Sequence, residues 1–495
     1  MDYVIGLDSS TQSTKAIAWS KSGELIAEGR ADIPMNSPHE GRFEQLPEDW
    51  WAAACSSLKD LFREVDPKNC QAIAVSNQRE TVGFIDENGK SVSPGIVWLD
   101  ERAVNEVDPF NESFGEARLH AISGKPKDVT PVLYRLAWLN KHQPDVLRNS
   151  SAIVDVNGFL CRMLAGTATA SWTSADPFGL FDIEQKQWSP DILAALDLNP
   201  EQLPPVVSPG SSVGTVSASA AAETSLMEGT PVIAAGGDGQ CAGLGVNAMQ
   251  PGRVYLNLGT ALITGVWSAD PHIGYGWRTM TSPTGEGYFL EGVLRAGTFY
   301  LDWVAENYAG QAADGATHAA LQAAAANLPV GSEGVLASPY LSGCMNPHWD
   351  MGVRAAFKGF APNHGRAHLY RSAMEALTGE VARTVQEMRD NGVVVSEIIA
   401  VGGGANSALW RSMIADATGL PMKISRSLEA SALGAGMTAA VGCGWYPDFE
   451  SASEGMSGMG SAYEPDPANY SAWQELLARQ HAFNLECCPN SRLAE

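Results

Sequence analysis

Two stretches about 250 residues apart share one pattern, and that repeat constrains the fold more than anything else in the chain. Tyr3-Val4-Ile5-Gly6-Leu7-Asp8 reads as a strand and Ser9-Ser10-Thr11-Gln12-Ser13-Thr14 as a run of hydroxyls and an amide. Lys15-Ala16-Ile17-Ala18-Trp19 starts a second strand, and Lys21-Ser22-Gly23-Glu24 turns into a third at Leu25-Ile26-Ala27-Glu28. Mid-chain, Arg253–Leu258 is again a strand, Gly259-Thr260-Ala261 a small-residue tip and Leu262–Trp267 a second strand. A spacing this long excludes a solenoid and fits a duplicated α/β unit. It predicts two similar domains, 1–246 and 247–495, facing each other with one hairpin tip on each side of a cleft. Helices are expected at about 48–64, 132–142, 367–391, 409–418 and 469–484, and buried strands at 72–75, 230–235 and 397–401. Residues 449–468, rich in Ser, Gly and Met, read as a surface loop.

With 45% hydrophobic and 18% charged residues, the 495-residue chain can bury sizeable cores. A formal net charge of −24 argues against nucleic acid or an anionic membrane surface as partner. An anionic ligand must then be held by local dipoles and a few placed cations. The eight cysteines (55, 70, 161, 241, 344, 443, 487 and 488) form no C-x-x-C pair, and only Cys487 and Cys488 are adjacent. They read as reduced thiols in a cytoplasmic protein. No apolar run approaches ~18 residues, and Met1-Asp2-Tyr3-Val4 does not read as a signal peptide.

Three loops carry chemistry. In Ala235-Gly236-Gly237-Asp238-Gly239-Gln240 an acid stands among glycines straight after the apolar run 230–235. Glycines let other groups approach the backbone closely, which suits a general base meeting a substrate hydroxyl; a turn acid is the plainer alternative. The hairpin tip Ser9–Ser13 offers amides and hydroxyls suited to a terminal phosphate. Asp8 is within reach of Mg²⁺, and Lys15 is a cation for phosphate charge. Gly402-Gly403-Gly404-Ala405-Asn406-Ser407 joins a strand to a helix whose N-terminus can face an anion, and its spacing excludes a dinucleotide fingerprint. Ser76-Asn77-Gln78-Arg79-Glu80-Thr81 caps the strand 72–75 with donors and acceptors, as a polyhydroxylated ligand requires or as a solvated loop would also show. For Trp98-Leu99-Asp100-Glu101-Arg102 a structural role is favoured.

The ordered set resembles the FGGY family of carbohydrate kinases over nearly the whole chain. It runs from Ile5–Asp8 through Gly41–Trp51, Ser76–Thr81, Trp98–Arg102, Gly236–Asp238, Leu258–Thr260, Tyr340–Gly343 and Pro347–Asp350 to Gly402–Ala405. The resemblance implies two actin- and hexokinase-like (ribonuclease H-like) domains closing on ATP and sugar. It implies Asp238 as base, Asp8 as the Mg²⁺ residue, and Gln78, Arg79, Glu80 and Asp238 on the sugar. ATP falls to Thr11, Gln12, Ser13, Lys15, Gly259, Thr260, Gly403, Gly404, Asn406 and Ser407. Gly297 joins them, although Trp303 follows it one residue later than the pattern expects. Gln78–Thr81 matches glycerol kinases, yet Thr130 stands where their aromatic packs and Gly239 where they carry a glutamine. Segments 41–51, 338–360 and 402–419 resemble xylulose kinases, with Cys344-Met345 in place of their Glu-Arg. The expected reaction is therefore phosphorylation of D-xylulose. A glycerol or other polyol kinase is the alternative within the class, and a non-catalytic nucleotide-binding protein of the superfold is the alternative outside it. A homodimer is the family's usual assembly.

Overall fold

The computed structural model describes residues 1–308, 312–489 and 491. The first sheet has six strands in the order Leu25–Asp32, Ser13–Trp19, Tyr3–Ser9, Cys70–Asn77, Pro231–Gly237 and Ser212–Thr215. Along that order its pairings run antiparallel, antiparallel, parallel, parallel and antiparallel. The second sheet repeats the same series through Tyr288–Leu294, Leu262–Ser268, Gly252–Leu258, Val395–Val401, Met422–Ser425 and Met459–Tyr463, with Arg278–Thr281 added at its edge. The duplicated hairpins are thus the first two strands of two sheets with matching topology. Central strands such as Tyr3–Ser9 are buried along their whole length because helices cover both faces, which explains their unbroken apolar runs.

The helix Pro47–Leu61 covers one face of the first sheet, with Trp50, Ala54 and Leu58 fully buried. Pro47 opens it at a position whose amide needs no partner, and Glu48 and Asp49 complement its dipole. The other face is covered by Asp238–Gly245 and by Ala430–Gly442, a helix from far along the chain that packs on both Tyr3–Ser9 and Cys70–Asn77. One apolar cluster accordingly joins Val4, Ile17 and Ile233 to Leu433, Met437 and Ile399. The long helix Arg366–Asp390 packs on Val395–Val401 of the second sheet, and the last one, Pro467–Cys487, packs on Arg366–Asp390 and Ala408–Thr418.

The surface loop expected at 449–468 is instead a helix, Phe449–Met456, and a strand, Met459–Tyr463. Asp448 caps the helix by accepting from the Ser451 amide, and Ala452 and Met456 are buried. The strand is then held by pairing with Met422–Ser425, a tertiary gain that overrides its weak propensity. Among the described residues all eight cysteines are free thiols, and no helix is long and apolar enough to cross a membrane.

Candidate active site

The strand Pro231–Gly237 ends in glycines and hands Asp238 to the first turn of the helix Asp238–Gly245. Gly236 has φ +146°, and a Cβ there would lie 1.7 Å from Thr173 Oγ1. At Gly237 and Gly239 a Cβ would collide with the Arg79 side chain, at 2.6 and 2.8 Å. The group that these glycines admit is therefore the Arg79 guanidinium, laid along the backbone of the loop. Arg79 Nε is 3.2 Å from Asp238 Oδ1, which also accepts from the Gly239 amide. Asp238 keeps 37% of its side-chain surface open. Desolvation by the surrounding protein pushes its pKa up to about 6, against the opposing pull of Arg79.

Arg79 and Glu80 stand on the turn after Cys70–Asn77, Glu80 in the left-handed region at φ +53°. The second half answers them with two charges. Arg79 Nη1 donates to Glu291 Oε1 at 2.8 Å, and Arg278 Nη1 to Glu80 Oε1 at 2.7 Å. Arg278 Nη2 bonds the other Glu291 oxygen and completes a chain of alternating charge, Arg79–Glu291–Arg278–Glu80. Behind it Lys125 Nζ pairs with Asp176 Oδ1 at 2.8 Å, and Arg135 donates to the Glu80 carbonyl at 2.7 Å. Every guanidinium of this chain of charges, and the Lys125 ammonium, therefore faces a carboxylate. Among the described residues, Arg79 Nη2, Glu80 Oε2 and Asp238 Oδ2 carry no hydrogen bond in this network: one donor and two acceptors.

Gln78 is differently placed. It is 1% exposed, its amide nitrogen donates to Gln45 and its oxygen accepts from Thr81, so it braces the turn. Thr130 hydrogen-bonds Asp128, and no aromatic stands there. Glu291, Arg278, Lys125 and Asp176 were missed from sequence. The one signal available was the lone carboxylate in the otherwise apolar Tyr288-Phe289-Leu290-Glu291-Gly292-Val293-Leu294.

Asp8, next to last in the first strand, stands beside this cluster. Its two oxygens accept from the Ser76 and Ser10 hydroxyls, each at 2.8 Å, while burial raises its pKa. Lys15 reaches Glu429 with both carboxylate oxygens within 2.7 Å, so its charge is already matched by a residue just before the helix Ala430–Gly442. The tip itself is more open: Gln12 is exposed, and Thr11 accepts from the Trp98 indole at 2.9 Å. Ser13 is buried within the second strand.

In the second half the expected glycines come together. A Cβ on Gly297 would lie 2.4 Å from the Gly259 carbonyl and 2.8 Å from that of Thr260. Gly402, at φ +90°, and Gly404 lie as closely on Leu258. Gly403 and Asn406 are exposed beside them, and Ser407 caps the helix Ala408–Thr418 by accepting from the Trp410 amide. This is an open, amide-rich shelf at the end of the second sheet, suited to a nucleotide. A separate cavity of about 500 Å³ lies between the helices Arg366–Asp390 and Pro467–Cys487, lined by Arg383, Glu387 and His481 and away from Asp238.

Residues 3–245 match the N-terminal domain of the FGGY family of carbohydrate kinases and residues 254–443 its C-terminal domain. The chain is 26% identical over 481 residues to the xylulose kinase of Bacillus subtilis (strain 168), covering 96% of this chain and 95% of that protein. The gluconokinase of the same organism is 25% identical over 480 residues, at 95% and 93% coverage. The crystal structure of xylulose kinase from Rhodospirillum rubrum superposes with a TM-score of 0.93 at 27% identity, over 98% of this chain and 99% of that one. With both halves matched in order and the sheets paired alike, the chain belongs to the FGGY family of carbohydrate kinases, ATP-dependent phosphotransferases acting on small sugars.

Proposed function

We propose that this kinase phosphorylates a neutral ketopentose, D-xylulose, to D-xylulose 5-phosphate. The carrying observation is the set of groups left over by the chain of ion pairs. Glu80 Oε2 and Asp238 Oδ2 accept from hydroxyls, and Arg79 Nη2 donates to a hydroxyl or carbonyl oxygen. A sugar acid such as gluconate would bring its carboxylate against two others, with Arg79, Arg278 and Lys125 already paired to carboxylates. The absence of an aromatic at Thr130 favours a ligand larger than a three-carbon polyol. D-Xylulose, gluconate and glycerol compared with ATP under one set of conditions test the assignment, and a preference for either of the last two overturns it.

Asp238 Oδ2 takes the proton of the attacking hydroxyl while that oxygen bonds the γ-phosphorus and ADP departs. With a pKa of about 6 the base is ionised at neutral pH yet basic enough to accept a proton. Thr11, Gln12 and Ser13 from one half and Gly259 and Thr260 from the other are proposed to hold the phosphates, with Gly297, Gly403, Gly404, Asn406 and Ser407 bordering the adenosine. Lys15 contributes once phosphate draws it from Glu429. Asp8 fits Mg²⁺: it is a buried carboxylate whose raised pKa reports a negative charge short of compensation, with hydroxyls from Ser10 and Ser76 fixing it. Bound there, the ion would offset phosphate charge. A division near residue 246, a homodimer and a cytoplasmic setting belong to the same proposal; light scattering reads the second directly.

A further inference from the structure

We propose that Glu291 and Arg278, both in the second half of the chain, are positioning residues for sugar recognition. They clamp Arg79 and Glu80 so that one guanidinium nitrogen and one carboxylate oxygen stay free for sugar hydroxyls. This rests on the sugar-kinase reading above and extends it, because the sugar contacts themselves all come from the first half.

The argument is geometric. Glu291 is fully buried, and Arg79, Arg278 and Glu80 each keep only 6–8% of their side-chain surface. Glu291 uses one oxygen for each arginine, and Arg278 uses one terminal nitrogen for each glutamate. The rotamers of Arg79 and Glu80 are thereby set from the opposite half. Glu80 needs that support, since its backbone sits in a conformation that side chains other than glycine rarely adopt. A buried ion-pair cluster is poor glue compared with apolar packing of the same volume, so stability alone gives it little reason to exist. Its place beside Asp238 gives it one: the charges hold the polar groups that must meet a hydroxylated ligand in a fixed array.

The test uses Glu291→Gln, Arg278→Met, Glu80→Gln and the double variant Glu80→Gln/Arg278→Met in the full-length chain, with Glu291→Asp as the conservative control. Steady-state kinetics with D-xylulose varied at saturating ATP, and the reverse, separate the two substrates. Glu291→Gln should raise KM for the sugar at least about tenfold while KM for ATP stays within about twofold, and Glu291→Asp should recover part of the loss. Urea unfolding of the Glu80–Arg278 cycle is independent of activity, and the double variant should depart from additivity by at least about tenfold in the unfolding constant. Unchanged sugar KM in Glu291→Gln, equal damage to both substrates, or additive unfolding overturns the inference while leaving the kinase intact. A wild-type chain that neither phosphorylates nor, by calorimetry, binds any of the three ligands sinks the proposed function and this role with it.

Discussion

Replacing Asp238 by Asn alters one atom of the side chain and removes both its charge and its ability to take a proton. A positioned base contributes about 10²–10⁴-fold to turnover. At 1.36 kcal/mol per decade this is roughly 3–5 kcal/mol of transition-state stabilisation. The structural loss is far smaller. Arg79 remains paired with Glu291 at 2.8 Å, and the Asp238 side chain is 37% exposed, so its pair with Arg79 contributes at most about 1 kcal/mol. The pH dependence follows from the raised pKa. The base must be deprotonated to work, so wild-type kcat/KM falls as pH drops below about 6. For stability the sign is opposite: a raised carboxyl pKa favours the protonated form in the fold, and its contribution is lost as pH rises through about 6. Asp238→Asn should therefore turn over at least about 100-fold more slowly, lose that acid limb, bind ADP normally and melt no lower than wild type above pH 6. A coupled ADP-release assay from about pH 5 to 9, with thermal melts in the same buffers, reads all of these. Turnover within tenfold of wild type, or an acid limb that survives the substitution, would refute the assignment of the base.

Arg79→Ala leaves Asp238 and the buried Glu291 without their shared partner. It should cost about 3–5 kcal/mol of stability in urea unfolding and damage sugar KM much more than ATP KM. D-Xylulose should exceed glycerol in kcat/KM by about 1–3 kcal/mol of transition-state binding, and a panel in which glycerol wins ends that assignment. If Thr11 and Thr260 close on the phosphates from opposite sheets as proposed, X-ray scattering should show compaction when D-xylulose and a non-hydrolysable ATP analogue are added together, and none with either tip's threonine replaced by a bulky residue.

The repeated strand–tip–strand pattern was legible because its strands lie inside the two sheets and are largely buried, Tyr3–Ser9 along its whole length. The helices Val132–His142 and Ala408–Thr418 stand where their periodicity places them. The placing of Asp238 among glycines was also visible, together with the close approach they allow, though not the identity of the group they admit. That group is Arg79, and what holds Arg79 lies 212 residues away in Glu291; Glu80 and Arg278 are 198 apart. No local pattern encodes a pairing over such distances, and an arginine opening an edge strand, as Arg278 does, looks like a solvated end. Lys15 was read as a cation for phosphate charge; its partner Glu429 stands just before a helix whose packing on the first sheet is a tertiary fact.

That helix, Ala430–Gly442, bears on how the chain comes off the ribosome. Its backbone presses so closely on the first sheet that a Cβ on Gly6 would lie 1.9 Å from the Ala432 carbonyl, and the Trp19 indole donates to the same oxygen at 3.1 Å. Gly434 is equally tight on the Cys241 carbonyl, at 1.9 Å. The first sheet is complete once Gly237 has been made, but about 190 further residues must follow before its cover exists. At about 5–20 residues per second, the apolar face formed by Val4, Ile17, Ala74 and Ile233 waits roughly 10–40 s for it. A nascent chain stalled near residue 246 should therefore recruit a holding chaperone or stay protease-sensitive, and release only as Leu433, Met437 and Ala440 arrive. The seam between the two halves of the sequence is, in folding terms, the least complete point of synthesis.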